Sequence, residues 1–63
     1  MLEPLQYFVL IAEHGTLTAA ARHAHVSQPA MTAALQRLEE DIGATLFHRG
    51  PSGATLTAAG EAL

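Results

Sequence analysis

The polar and small side chains after Ser27 have the types and spacing needed to contact base pairs. On a helix, where successive residues rotate by about 100°, they share one broad face whose N-terminal half carries Gln28, Pro29, Thr32, Ala33 and Gln36. A glutamine amide can form two hydrogen bonds with adenine, and a threonine or alanine methyl can contact the thymine methyl. This pattern favours a helix that enters a major groove, although a plain solvated helix surface uses the same residue types.

Histidine and serine offer other chemistry, but their spacing does not support it. His23 and His25 are two residues apart, so on a helix their side chains diverge by about 200°. Cysteine is absent, which excludes a disulfide framework and a cysteine-based zinc site. Ser27 lacks both an orienting third group and a strained turn of the kind that activates a nucleophile, and no glycine-rich phosphate loop is present. We therefore predict no enzymatic activity, no cofactor and no metal.

Length and charge limit the possibilities further. The chain has 63 residues, enough for one small domain, and 49% of them are apolar, which argues against disorder. It has no lysine, three arginines and six acidic residues, so its net charge is −3, and this balance by itself argues against a nucleic-acid partner. No apolar run approaches the roughly 20 residues that cross a bilayer. We expect a soluble, cytoplasmic protein without a membrane partner.

A first helix is predicted from Pro4 to His14, since proline suits a first helical turn and Gly15 suits the residue after the end. One apolar stripe follows the i, i+3, i+4, i+7 spacing and is predicted to face the core: Leu5, Phe8, Val9 and Ala12. A second apolar set lies on the other side and is predicted to form an interface with a partner: Tyr7, Leu10 and Ile11.

Two further helices are predicted on either side of a short turn at residues 25 and 26. Thr16 and Ser27 are suitable N-caps, Pro29 fits a first turn, and Gly43 fits a helix end. His25 is a candidate for the positive φ of the turn. The predicted core positions are Leu17, Ala20, Ala21 and Ala24 in the second helix, and Met31, Leu35, Leu38 and Ile42 in the third. This arrangement is typical of a helix-turn-helix.

The pattern changes after Gly43. Residues 45–47 and 54–56 are β-prone and lie on either side of the turn sequence Gly50-Pro51-Ser52-Gly53, which predicts a small hairpin. Thr57 is then a suitable N-cap for a last helix. The predicted fold class is all-α with a small β-wing.

Short motifs follow one another through the whole chain: Phe8, Thr16-Leu17-Thr18, Ala20-Ala21, residues 26–32 (VSQPAMT), Leu38-Glu39, Gly43, residues 46–49 (LFHR) and residues 56–60 (LTAAG). In this order and spacing they resemble the N-terminal DNA-binding domain of LysR-type transcriptional regulators. The resemblance implies a winged helix-turn-helix over residues 1–57, with the motif at 17–36, the wing at 45–56 and a recognition helix after Ser27. Residues 58–63 would begin a linker helix.

The resemblance also implies partners and contact residues. The partners are double-stranded DNA with a pseudo-palindromic operator, a second copy joined through the linker helix, and a small-molecule inducer bound by a separate effector domain. Arg49 resembles the arginine at the base of the family's wing, which contacts phosphate or pairs with Glu39. The predicted DNA contacts are Thr18, Ser27, Gln28, Pro29, Thr32, Ala33, Gln36, Arg37, Arg49 and Ser52.

One alternative function remains open at this stage. A winged-helix module that binds another protein rather than DNA would also agree with the absence of lysine and the net charge of −3. Binding to duplex DNA distinguishes the two functions.

Overall fold

Four helices and a two-stranded hairpin make up the computed structural model, which describes residues 3–63. In chain order the elements are α1 (Pro4–His14), α2 (Leu17–Ala24), α3 (Gln28–Ile42), β1 (Phe47–Gly50), β2 (Gly53–Leu56) and α4 (Ala58–Ala62). The strands are antiparallel. The predicted all-α fold with a small β-wing is confirmed. None of the described helices is long and apolar enough to cross a membrane.

The hydroxyl N-caps lie where local sequence predicted them. Thr16 accepts the N–H of Ala19 at 3.0 Å, Ser27 accepts that of Ala30 at 3.2 Å, and Thr57 accepts that of Gly60 at 3.1 Å. Each bond satisfies one of the N–H groups that a helix start leaves without an intrahelical partner.

The helix ends agree with the sequence as well. The residue after each of the first three helices is left-handed: Gly15 after α1 (φ 80°), His25 after α2 (φ 60°) and Gly43 after α3 (φ 82°). His25 is the only described residue other than glycine with positive φ, so its predicted role in the turn is confirmed.

The predicted core face of α1 is wrong. Ile11 is completely buried, while Leu5 and Val9 are 54% and 46% exposed; Phe8 alone of the predicted stripe is buried. Ile11 therefore cannot lie in an interface with a partner, and Tyr7 and Leu10 are half-buried against the core. Because α1 carries apolar residues on both sides, its buried side is determined by the elements packed on it, which periodicity does not reveal.

The remaining predicted core positions lie largely as expected. In α2, Leu17, Ala20 and Ala21 are buried, and in α3, Met31, Leu35 and Leu38 are buried. Ile42 was predicted to be buried but is 42% exposed. The fully buried Leu46 and the adjacent Phe47 complete the core instead.

The first strand begins two residues later than predicted and runs to the turn. Thr45 and Leu46 precede it, because the backbone groups of Leu46 are used elsewhere: its N–H donates to Glu39 Oε2 at 2.7 Å, and its carbonyl accepts the N–H of Thr57 at 3.0 Å. The Thr57 hydroxyl also donates to the carbonyl of Thr45 at 2.6 Å. These bonds fix the base of the hairpin to α3 and α4.

An aromatic contact joins the base of the wing to α1. The Phe47 ring lies 5.3 Å from the Phe8 ring at 41°, within the range of favourable tilted pairs. A two-stranded hairpin is marginal alone in water, so this contact and the bonds at the base stabilise it.

Candidate nucleic-acid interface

A polar groove lies where the starts of α2 and α3 meet the wing. Three of the predicted contact residues line it, each from a different element: Thr18 from α2, Gln28 from α3 and Arg49 from β1. Thr16, Leu17 and the hairpin residues Gly50, Pro51, Gly53 and Ala54 complete its walls. The groove therefore combines three uncharged hydrogen-bonding side chains, Thr16, Thr18 and Gln28, with one permanent positive charge.

Within the groove, Thr18 and Gln28 contact each other directly. The Thr18 hydroxyl donates to Gln28 Oε1 at 3.4 Å, although the residues are ten positions apart in sequence. The bond engages the amide oxygen and leaves the two N–H groups of the Gln28 amide free to donate. In this conformation Gln28 presents donors, which match phosphate oxygens and the acceptor atoms of guanine and thymine.

Arg49 reaches the groove because of its register in the hairpin. It lies directly across the ladder from Ala54, and both residues line the groove. His48 is adjacent in the strand, so its side chain points to the opposite face of the hairpin. The Glu39 carboxylate, which the family resemblance implied as a possible partner for Arg49, accepts the N–H of Leu46.

The start of α3 has further unused hydrogen-bonding capacity. Ser27 and Gln28 are exposed, and Pro29 follows them in the first turn. The Ser27 oxygen accepts the N–H of Ala30, so its own O–H is available as a donor. The N-terminal end of a helix carries partial positive charge, which adds to the attraction for an anion.

Farther along α3 the predicted contacts separate from the groove. Ala33 and Arg37 are exposed and border a cleft between α1 and α3, whereas Gln36 borders a second cleft beside Gly43 and Thr45. Thr32 is half-buried. Gln36 lies about 12 Å along the helix axis from Gln28 at 1.5 Å per residue.

Ser52, the last predicted contact, is exposed in the turn of the hairpin. It lies at the tip of the wing beside Pro51, and the hairpin carries no basic residue other than Arg49 and His48. The wing can therefore offer charge only from β1.

Two histidines on different helices, His14 and His23, lie next to each other. The His23 ring lies 4.8 Å from the His14 ring at the end of α1, tilted by 36°. His25 belongs to the turn after α2. Among residues 3–63 no three histidine, cysteine, aspartate or glutamate side chains form a cluster that could hold a metal ion.

The backbone contact that brings the wing to the groove was not predictable from the sequence. The N–H of Ala54 donates to the carbonyl of Gly15 at 2.7 Å, across 39 positions of sequence. The only relevant signal was the pair of glycines around Pro51-Ser52, which indicated a turn but not what the turn contacts.

Comparison with known proteins adds independent information. A family model described as "Bacterial regulatory helix-turn-helix protein, lysR family" matches residues 2–61. The HTH-type transcriptional regulator ClcR of Pseudomonas putida is 52% identical over 56 residues, which cover 89% of this chain and 19% of ClcR. The HTH-type transcriptional regulator TfdT of Cupriavidus pinatubonensis is 50% identical over 60 residues, which cover 95% of this chain and 26% of TfdT.

Solved structures agree with these matches. A crystal structure of a CbnR DBD–DNA complex superposes with a TM-score of 0.90 at 48% identity, covering 97% of this chain and 72% of that one. A crystal structure of a BenM DBD/benA site 1 DNA complex superposes with a TM-score of 0.86 at 34% identity, and the match covers 95% of this chain and 72% of that one. The chain thus spans about a fifth to a quarter of the length of ClcR and TfdT. It spans 72% of the CbnR and BenM chains in these two DNA complexes.

Proposed function

The chain belongs to the lysR family of bacterial regulatory helix-turn-helix proteins, and on this premise we propose that it is the sequence-specific DNA-binding domain of a transcriptional regulator. We propose that α3 enters the major groove by its N-terminal half while the wing lies along the adjacent backbone. We further propose that the domain catalyses no reaction and acts in the cytoplasm, where bacterial DNA lies.

The observation that carries this proposal is the groove shared by Thr18, Gln28 and Arg49. Residues from two helix starts and one strand converge there, and the exposed first turn of α3 adjoins the groove. Contacts to phosphate orient a protein on the duplex, and contacts to base edges select the sequence. One groove that joins an arginine to the first residue of a recognition helix supplies both kinds of contact.

We assign the predicted contacts to two roles. Phosphate contacts come from the wing, the helix starts and the second half of α3: Thr18, Ser27, Arg37, Arg49 and Ser52. Contacts within the major groove come from α3, with the first turns nearest the bases: Gln28, Pro29, Thr32, Ala33 and Gln36. Small side chains at Pro29 and Ala33 allow the α3 backbone to approach the base edges closely.

The partners follow from family membership. We propose that two copies bind a pseudo-palindromic operator, joined through a linker helix that begins at residues 58–63. A small-molecule inducer would bind an effector domain outside residues 1–63. Two-fold symmetry in the protein then corresponds to two half-sites in the DNA.

Selection of duplexes from a random library by the full chain tests the proposal. We expect enrichment of a pseudo-palindromic sequence, for example of the form T-N11-A, and tighter binding of that duplex than of a scrambled duplex of equal length and composition. The titration is repeated at two salt concentrations, since sequence-independent attraction to phosphate is salt-dependent.

The control is a Gln28→Ala variant, which removes the amide closest to the groove but leaves the charge unchanged. It should lose preference for the selected duplex while its binding to scrambled DNA changes little. If no sequence is enriched and the chain does not bind duplex DNA, the proposal is wrong and a protein-binding module becomes the better explanation.

A further inference from the structure

We propose that Gly53 is a positioning residue for DNA binding, because its contact with Gly15 sets how far Arg49 lies from Thr18 and Gln28. We call the contact between Gly53-Ala54 and Gly15 the wing latch. This inference rests on the proposed DNA-binding function.

The wing latch has two parts, a hydrogen bond and a close backbone approach. Ala54 N–H donates to the Gly15 carbonyl at 2.7 Å. The adjacent Gly53 has a φ of 123°, and a Cβ at that position would lie 2.5 Å from the Gly15 oxygen and 3.3 Å from Thr16 Cγ2. Only glycine combines that backbone conformation with that approach.

The turn sequence explains why the positive φ lies at Gly53. Two-residue hairpin loops favour turns with positive φ at a central residue, which proline cannot adopt. Neither Pro51 nor Ser52 has positive φ, whereas Gly53, the first residue of β2, does. This conformation accompanies the close approach of β2 to the turn between α1 and α2.

The position of Gly15 is fixed by α1 before it and by α2 after it. Its N–H donates to the Ile11 carbonyl at 2.9 Å as the cap of α1, and the next residue, Thr16, caps α2. Thr18 follows in the first turn of α2. Gly15 is therefore a fixed point beside Thr18, and a wing displaced from Gly15 is also displaced from Thr18.

The pairing of the two strands in the hairpin fixes where Arg49 lies relative to Ala54. Ala54 and Arg49 are directly opposite each other in the ladder, and such pairs have Cα atoms about 4.5–5.5 Å apart. The N–H of Ala54 donates to Gly15 rather than across the ladder, so the bond fixes β2 to the helices. The wing latch thus places the charge of Arg49 over the groove.

The test compares Gly53→Ala with Gly43→Ala in the full chain. Gly43 also has a positive φ, of 82°, but it lies outside the groove and a Cβ there would meet nothing within 4 Å. Gly43→Ala therefore introduces backbone strain without the close approach. The probe is the duplex selected by the wild-type chain, titrated at several salt concentrations. Gly53→Ala should lower affinity by the same factor as Arg49→Gln and reduce the salt slope of a dimer by about 1.8, at about 0.9 for each lost phosphate contact. Gly43→Ala should keep the affinity and the salt slope of wild type.

A double variant and an exchange measurement separate positioning from stability. If Gly53 acts through Arg49, adding Gly53→Ala to Arg49→Gln should cause no further loss of affinity. Hydrogen exchange at the Ala54 amide should be faster in Gly53→Ala and unchanged in Gly43→Ala. If Gly53→Ala loses its helical circular dichroism, Ala54→Pro, which removes the donor of the bond, takes its place.

The inference fails if Gly53→Ala retains the wild-type salt slope, if its effect adds to that of Arg49→Gln, or if Gly43→Ala causes an equal loss. A wild-type chain that binds no duplex is a different result: the proposed function then fails, while the exchange measurement still shows whether the wing latch forms.

Discussion

Replacing Arg49 by glutamine gives the most quantitative test of the interface. Of the three arginines, Arg49 lines the groove, Arg37 lies on the recognition helix, and Arg22 lies in the last turn of α2 outside the predicted contact set. With two ionic contacts per protomer, a dimer should lose affinity with a slope near −4 in log K against log salt, because each neutralised phosphate contributes about −0.9.

Arg49→Gln removes one of these contacts from each protomer, so the slope should become about −2. Raising salt from about 50 to about 200 mM should then weaken wild-type binding about 150-fold but the variant only about 12-fold. Fluorescence anisotropy titrations on the selected duplex, at four or more salt concentrations, measure this difference directly.

Arg22→Gln is the matched control, since it removes the same charge from a residue away from the groove. It should keep the wild-type slope. An Arg49→Gln slope equal to that of wild type, or equal reductions in the two variants, would refute the assignment of Arg49 to a phosphate contact.

Three further variants test the cap of α3, the buried face of α1 and the bond within the groove. Ser27→Ala should lower the free energy of unfolding by about 1 kcal/mol, because α3 loses its N-cap. In a thermal melt this appears as a fall of about 4–8 °C in Tm. An unchanged Tm would show that Ser27 does not act as the cap. Ile11→Ala should lower the free energy of unfolding, measured by chemical denaturation, by about 2–5 kcal/mol, because it leaves a cavity in the core. Val9→Ala, at an exposed position of the same helix, should lower it by less than about 0.5 kcal/mol. The reverse order would mean that the buried face of α1 is misassigned. Thr18→Val should weaken binding to the selected duplex about 2- to 12-fold through loss of the bond to Gln28, whereas Thr18→Ser, which keeps the hydroxyl, should bind like wild type.

Much of the fold could be predicted from local sequence. The N-caps Thr16, Ser27 and Thr57 act on N–H groups three residues further along the chain, so the pattern that predicts them is contained in four residues. The same is true of Gly43 and His25, whose left-handed conformations end helices by bonds to the preceding turn.

Three residues of the predicted contact set line the groove, but their arrangement could not be predicted from the sequence. Gln28 could be named from its position on the polar face of α3, and Thr18 and Arg49 only from the family resemblance. The hydrogen bond between Thr18 and Gln28, and the presence of Arg49 in the same groove, depend on how the wing packs against the helices. Residues such as Gln36 belong to the predicted face yet border a different cleft.

By itself, then, the sequence determined the helices, their caps, the turn of the hairpin and the family. Tertiary structure alone decided which side of α1 is buried and where the wing lies. The physical reason is the range of the interactions. A cap or a turn is completed by neighbouring residues, whereas the burial of Ile11 requires surfaces from other elements, and the bond from Ala54 to Gly15 joins backbone groups whose side chains carry no signal of the pairing.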